Sequence, residues 1–376
     1  MALNKKDLVF GILYIVLAKQ LHLWLTNKGV GVQFINHYPG NCRIVPGIQC
    51  GSEKISVTKD GLAFITNGLR MSNCNPDFLK GKIYLFDFGF PDRNVKELAM
   101  KNVSDEFIHS LDPHGMDIFI DRETNVIKLF VVNHANKKDS IEIFHYSKQN
   151  PTEITHVSTI TNENFVCLND ITVIDNEEFY VTNFNKFCHS SYSDLLVPVE
   201  LIFGLSTANI VYFKKGFSAI AAYGALLNGI AVSNDKNYVY VVSSATSSVT
   251  AYKRHNGGKL QHFKQIYVGY FPDNVHVENE TGDLYVGQGK DFFGYSKLIV
   301  NQTNYVSSAV VKIKSPLEKQ TKVTEILHDD GKNFIHSIST PVRFNNQFLL
   351  GTVSHKLAYC DARKDVKVVL NSEKKI

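Results

Sequence analysis

A short pattern that returns six times constrains this chain more than any other feature. It runs from a polar residue into an alternating strand, then a turn, then a second apolar strand. The copies are EKISVTKDGLAFITNG from Glu53, HGMDIFIDRETNVIKLFVVNH from His114, NDITVIDNEEFYVTN from Asn169, NGIAVSNDKNYVYVVSS from Asn228 and DNVHVENETGDLYVGQG from Asp273, with a more degenerate STPVRFNNQFLLGTV from Ser339. Successive copies start 45 to 66 residues apart, room for about four strands each. Repeats of this kind bury their faces only against one another, and six of them predict a closed ring. The expected fold is therefore all-β, a six-bladed β-propeller over residues 27–376, closed where residues 26–50 meet the C-terminal strand. Composition agrees. With 44% hydrophobic and 20% charged residues in 376, the chain has enough apolar surface for a large core. A net charge of +4, carried by scattered basic residues, argues against nucleic acid as a partner.

The first residues read differently. Lys5 and Lys6 precede an apolar run at 8–18, and after Lys19 it continues through Leu21, Leu23, Trp24 and Leu25. The unbroken run is shorter than the roughly 20 helical residues that span a bilayer. It fits either the core of a secretory signal or, with Lys19 snorkelling, an uncleaved signal-anchor. Residues 1–26 are accordingly expected as a signal-anchor or signal peptide, with the propeller lumenal, extracellular or secreted. Sequons at Asn102, Asn279 and Asn301 and an even count of six cysteines point the same way. Six cysteines allow 15 full pairings, and sequence does not choose among them. Cys42 and Cys360 do lie near opposite ends of the folded region, where a bridge would close a very long loop.

In a propeller the first strand of each blade lines the central channel. The polar residues that open the repeats thus face one mouth: Glu53, His114, Asn169 with Asp170, Asn228, and Asp273 with Asn274. Glu53, Asn169, Asn228, Asp273 and Asn274 offer five oxygen donors, a set suited to a hard cation such as calcium. His114 sits in the same ring and His134 ends the following strand, a pair placed for proton transfer. The chain has no G-x-S-x-G elbow, H-E-x-x-H, P-loop or G-x-G-x-x-G.

At these residues the chain resembles the paraoxonase/arylesterase family of calcium-dependent six-bladed propellers that hydrolyse esters and lactones. The similar stretches are GSEK at 51–54, DPHG at 112–115, VVNH at 131–134, LND at 168–170, NGI at 228–230, PDN at 272–274, ETGDLYVG at 280–287 and GTVSHKLAYC at 351–360. The resemblance implies that Glu53, Asn169, Asn228, Asp273 and Asn274 hold the catalytic calcium, that His114 and His134 form the family's histidine pair, and that Cys42 bonds Cys360. It implies a small ester or lactone as substrate. It also implies an alternative role, that of a non-catalytic, membrane-anchored accessory or chaperone protein for ion channels, with a membrane-protein partner. One departure matters. The family has an Asp after the Glu, which with a carboxylate at the place of Asp170 holds a second, structural calcium. Here that residue is Lys54, whose ammonium is expected to take the ion's place beside Asp170. Around the mouth Met71, Phe184, Asn185 and Gln288 also depart from the family pattern, Leu226 is a candidate pocket wall, and residues 184–213 are expected to form a rim.

Overall fold

Strands that are apolar on both faces need cover on both faces, and the fold supplies it by standing sheets side by side around an axis. In Ile127–Asn133, Leu129 and Val131 pack into one core cluster while Phe130 and Val132 pack into the next. Six such clusters fill the six gaps between neighbouring blades. The structure, a computed structural model, describes residues 35–362 apart from 71–73, 75–79, 136–137, 189–191, 291–293, 295–296 and 298–304, with four isolated positions before residue 35.

The described strands form six sheets; four run in chain order from the channel outward, and the other two take their outermost strand from earlier in the chain. The inner strands are Ile55–Val57, Pro113–Ile120, Leu168–Asp175, Leu227–Val232, Phe271–Val277 and Ile338–Phe344. Each touches the next, and the sixth touches the first, so the ring closes as the repeat predicts. Blade two carries a fifth strand, Ala99–Lys101, parallel to Glu153–Ile160.

Closure uses both ends of the chain. Asn41–Ile44 is the outermost strand of blade six and pairs with Ala358–Asp361. Cys42 lies opposite Cys360 in that register, and the two are bonded across 318 residues of sequence. In the chain-entropy account, closing so long a loop contributes on the order of 5 kcal/mol. Two bridges that sequence left open are also present, Cys50–Cys74 and Cys167–Cys188.

The segment expected as an anchor falls almost wholly outside the described residues, as does Asn301. No helix among the described residues is long and apolar enough to cross a membrane. The region 184–213 contains a helix, Ser193–Phe203, stopped by Gly204 in the left-handed conformation (φ 57°). It is inserted between the second and third strands of blade three, on the channel-mouth side, with Leu195 and Phe203 exposed.

Candidate metal and proton-transfer site

Sequence placed the mouth residues just before the inner strands. In five blades they stand within the strand, at a β-bulge that recurs at one phase. Between Leu168↔Asn183 and Ile171↔Val181 the inner strand has one residue more than its neighbour, and the same slip follows Pro113, Leu227, Pro272 and Ile338. A bulge opposes two consecutive residues to one and re-aims them. The bulged pairs are His114–Gly115, Asn169–Asp170, Asn228–Gly229, Asp273–Asn274 and Ser339–Thr340. Glu53–Lys54 hold the equivalent place in blade one. Upstream the backbone is wound left-handed, at Gly51 (φ 74°), Leu226 (φ 44°) and Ser337 (φ 52°), each two residues before its mouth residue. A leucine at positive φ is a strained conformation of the kind that clusters at functional sites. Leu226 itself is buried.

Hydroxyls stitch the bulges together. Thr66 donates to the His114 carbonyl (2.8 Å), Thr182 to that of Asn228 (2.7 Å) and Ser244 to that of Pro272 (2.7 Å). Ser339 and Thr340, in the degenerate sixth repeat, both donate to the Glu53 carbonyl (2.7 and 2.8 Å). These hydroxyls escaped sequence reading because a Thr or Ser in a strand carries no signal of what it faces. Glycine is required at 115 and 229. A Cβ there would lie 2.4 Å from the Asn169 carbonyl oxygen and 2.5 Å from the Asn274 Cα.

All five expected oxygen donors are buried. The Asn274 amide donates to Glu53 Oε1 at 2.7 Å, joining blade five to blade one. Glu53 Oε2, Asn169 Oδ1 and Asn228 Oδ1 have no hydrogen-bond partner. Orphaned acceptors in a buried site are costly unless a cation or water engages them. Burial, with the charges of Asp273 and Asp170, pushes the Glu53 carboxyl well above the usual range. Burial likewise pushes Asp273 up to about 7, against the pull of an Asn228 hydrogen bond and the Lys54 charge. Among the described residues neither carboxylate forms an ion pair with a Lys or Arg, and oxygen acceptors without donors are what a hard dication takes. The donor set therefore fits calcium. Among the described residues no three His, Cys, Asp or Glu side chains gather as a metal site. This ring has two carboxylates, and its other members are amides.

One step further along the bulges, the Lys54 ammonium pairs with Asp170 Oδ2, and both side chains are buried. Asp170 Oδ2 also accepts the Ile230 N–H at 2.9 Å. In this layer, where the resemblance implies a second calcium in the family, an ammonium stands beside Asp170, whose Oδ1 has no hydrogen-bond partner. Beyond Lys54 a cavity of about 1000 Å3 follows the inner strands to the far mouth, past Asp117, Thr172 and His276. It lies on the opposite side of the Lys54–Asp170 pair from the oxygen ring.

The two histidines do meet. His114 Nδ1 is 2.9 Å from His134 Nε2, and His134 Nδ1 is 2.8 Å from Asp139 Oδ1. His114 Nε2 faces the ring, 3.7 Å from Glu53 Oε1. Burial, then the neighbouring His134, holds the His114 imidazole well below its ordinary range, so it stands as a neutral base. Asp139 was missed from sequence, since it lies in the polar stretch 134–140 without periodicity. Among the departures, Gln288 is fully buried, Phe184 and Asn185 enter the helical insertion, and Met71 is outside the described residues. Asn102 and Asn279 are exposed, as glycan acceptors must be.

Known proteins resemble this chain in fold or in sequence. The luciferin-regenerating enzyme superposes with a TM-score of 0.52 at 10% identity, over 85% of this chain and 94% of that one, a likeness of fold alone. Serum paraoxonase/lactonase 3 of Rattus norvegicus is 33% identical over 327 residues, 86% of this chain and 89% of that protein. Serum paraoxonase/arylesterase 1 of Homo sapiens is 33% identical over 328 residues, 85% of this chain and 88% of that protein. The Arylesterase family model matches residues 33–362, which take in the closing strand, all five bulges and both histidines. With the ring, the pair and the closing disulfide all inside that match, the chain belongs to the arylesterase family.

Proposed function

We propose that this protein is a calcium-dependent hydrolase of carboxylic esters and lactones. The observation that carries the reading is the set of partnerless buried oxygens on Glu53, Asn169 and Asn228, brought from three blades to one mouth beside a neutral histidine. Family membership and relatives named for lactonase and arylesterase activity support it. Glu53, Asn169, Asn228, Asp273 and Asn274 would hold one calcium ion. When bound, that ion supplies a Lewis acid for a carbonyl oxygen and for the negative charge that develops on it. His114 Nε2 takes a proton from the attacking water, and its Nδ1–H passes one to His134 Nε2. His114 is buried and His134 partly so. Lys54 serves the layer beneath as an internal cation, so the count is one calcium per chain.

Three disulfides fit an oxidising compartment and support a secretory-pathway reading, in which Asn102, Asn279 and Asn301 would carry glycans and the N-terminal run would serve as signal or anchor. The test is turnover of phenyl acetate and of aromatic and aliphatic lactones by the purified protein, with calcium and with chelator. Fast hydrolysis that the chelator abolishes supports the proposal. A folded, calcium-binding protein that turns over neither class overturns it in favour of an accessory role for a membrane partner.

A further inference from the structure

The structure assigns Asp139 as the positioning residue that sets the direction of proton transfer through His134 and His114, an inference that rests on reading these histidines as a proton-transfer pair. Both Asp139 oxygens are engaged. Oδ1 meets His134 Nδ1 at 2.8 Å, and Oδ2 accepts the Leu168 N–H at 2.6 Å. Its side chain is fully buried, and Leu168 immediately precedes the bulged Asn169 of the oxygen ring. The carboxylate is thus anchored to the strand that carries the ring and points back at the pair.

Acceptor chemistry then decides every proton. A carboxylate only accepts, so His134 carries its proton on Nδ1. In the neutral ring His134 Nε2 holds a lone pair, and at 2.9 Å from His114 Nδ1 it requires a proton there. That leaves the lone pair of His114 on Nε2, the nitrogen facing Glu53. Without Asp139 the opposite chain of tautomers satisfies the same two rings and puts a proton on the nitrogen that must accept one. In the step itself the O–H bond of water breaks as an Nε2–H bond forms on His114. The His114 Nδ1 proton moves to His134 Nε2, and the resulting imidazolium is paired with Asp139.

The isosteric variant Asp139→Asn makes a sharp test. The Leu168 N–H can only donate, so it claims the amide oxygen and turns the NH2 towards His134 Nδ1. Both tautomers then invert. Ring 15N spectra of the full chain should show His134 and His114 protonated on Nδ1 in the native protein and on Nε2 in Asp139→Asn. In the same variant kcat should fall about a hundred- to ten-thousandfold with KM little changed. Native rings protonated on Nε2, or a variant whose kcat stays within about twofold of the native value, overturn the assignment. If Asp139→Asn does not fold, the native spectrum alone decides it. Nδ1 protonation in a protein that hydrolyses neither esters nor lactones keeps the assignment and removes the hydrolase reading instead.

Discussion

Two histidine pairs sit on the mouth side of this propeller, and they are built differently. His336 and His355 have the closer rings, with centroids 4.3 Å apart against 5.2 Å for His114 and His134. Yet the Nδ1 atoms of His336 and His355 are buried without hydrogen-bond partners, while those of His114 and His134 are both bonded. Ring proximity alone gives a pair of tilted rings in contact, 39° between planes. A nitrogen-to-nitrogen hydrogen bond ending on a carboxylate gives a pair with a defined proton direction. What separates the two is Asp139 at one end and the oxygen ring at the other, and the blade-six pair has neither contact.

The contrast can be broken most forcefully at the ring that only the first pair faces. Glu53→Gln leaves the shape and removes a charge from the calcium site. Calcium binding by calorimetry should weaken strongly, and ester hydrolysis should fall at least about a thousandfold. Next comes the direct comparison of the pairs. His114→Gln should lower kcat about a hundred- to ten-thousandfold, while His336→Gln should leave it within about twofold in the same assay. Equal losses would mean that the wiring of the first pair is incidental.

A third measurement concerns the layer below. Lys54→Met strands a buried Asp170 and should cost about 3–5 kcal/mol in denaturant unfolding. Lys54→Asp should instead raise the calcium count from one per chain to two by elemental analysis. A native protein already holding two would refute the internal-cation role. The smallest effect is expected at His336 and His355. Burial, then the neighbouring His355, pushes the His336 imidazole down to about 3, far below its unfolded value. Between those two values the unfolded chain binds a proton that the folded chain does not, so stability falls as pH drops through that window. His336→Gln should flatten the fall in Tm between pH 7 and 5 by a few degrees at most, about 2 °C.

Much of the architecture was legible without coordinates. The strand-turn-strand copies mark the inner half of every blade, and their phase alone brings Glu53, Asn169, Asn228, Asp273 and Asn274 to one mouth. Lys54 stood out as the departure from the family's Asp, and the structure does pair it with Asp170. The bulge was not legible. It is a slip of one residue between strands, and a pattern of apolar positions tolerates it. Asp139 and the blade-six pair Ser339–Thr340 were equally silent, because their meaning lies in what they touch across blades.

Periodicity and turn residues are local, so the amino-acid order was enough to specify strands, their grouping in fours and a ring of six. Closure at Cys42 and Cys360 was implied by the family resemblance, and the structure bonds them. Side-chain direction is not local. Which oxygens are left without donors, which nitrogen of His114 faces the ring, and which cysteines pair among Cys50, Cys74, Cys167 and Cys188 all depend on contacts between residues distant in sequence. Hydrogen bonds form over about 3 Å and fixed angles, and only packed blades set positions that finely.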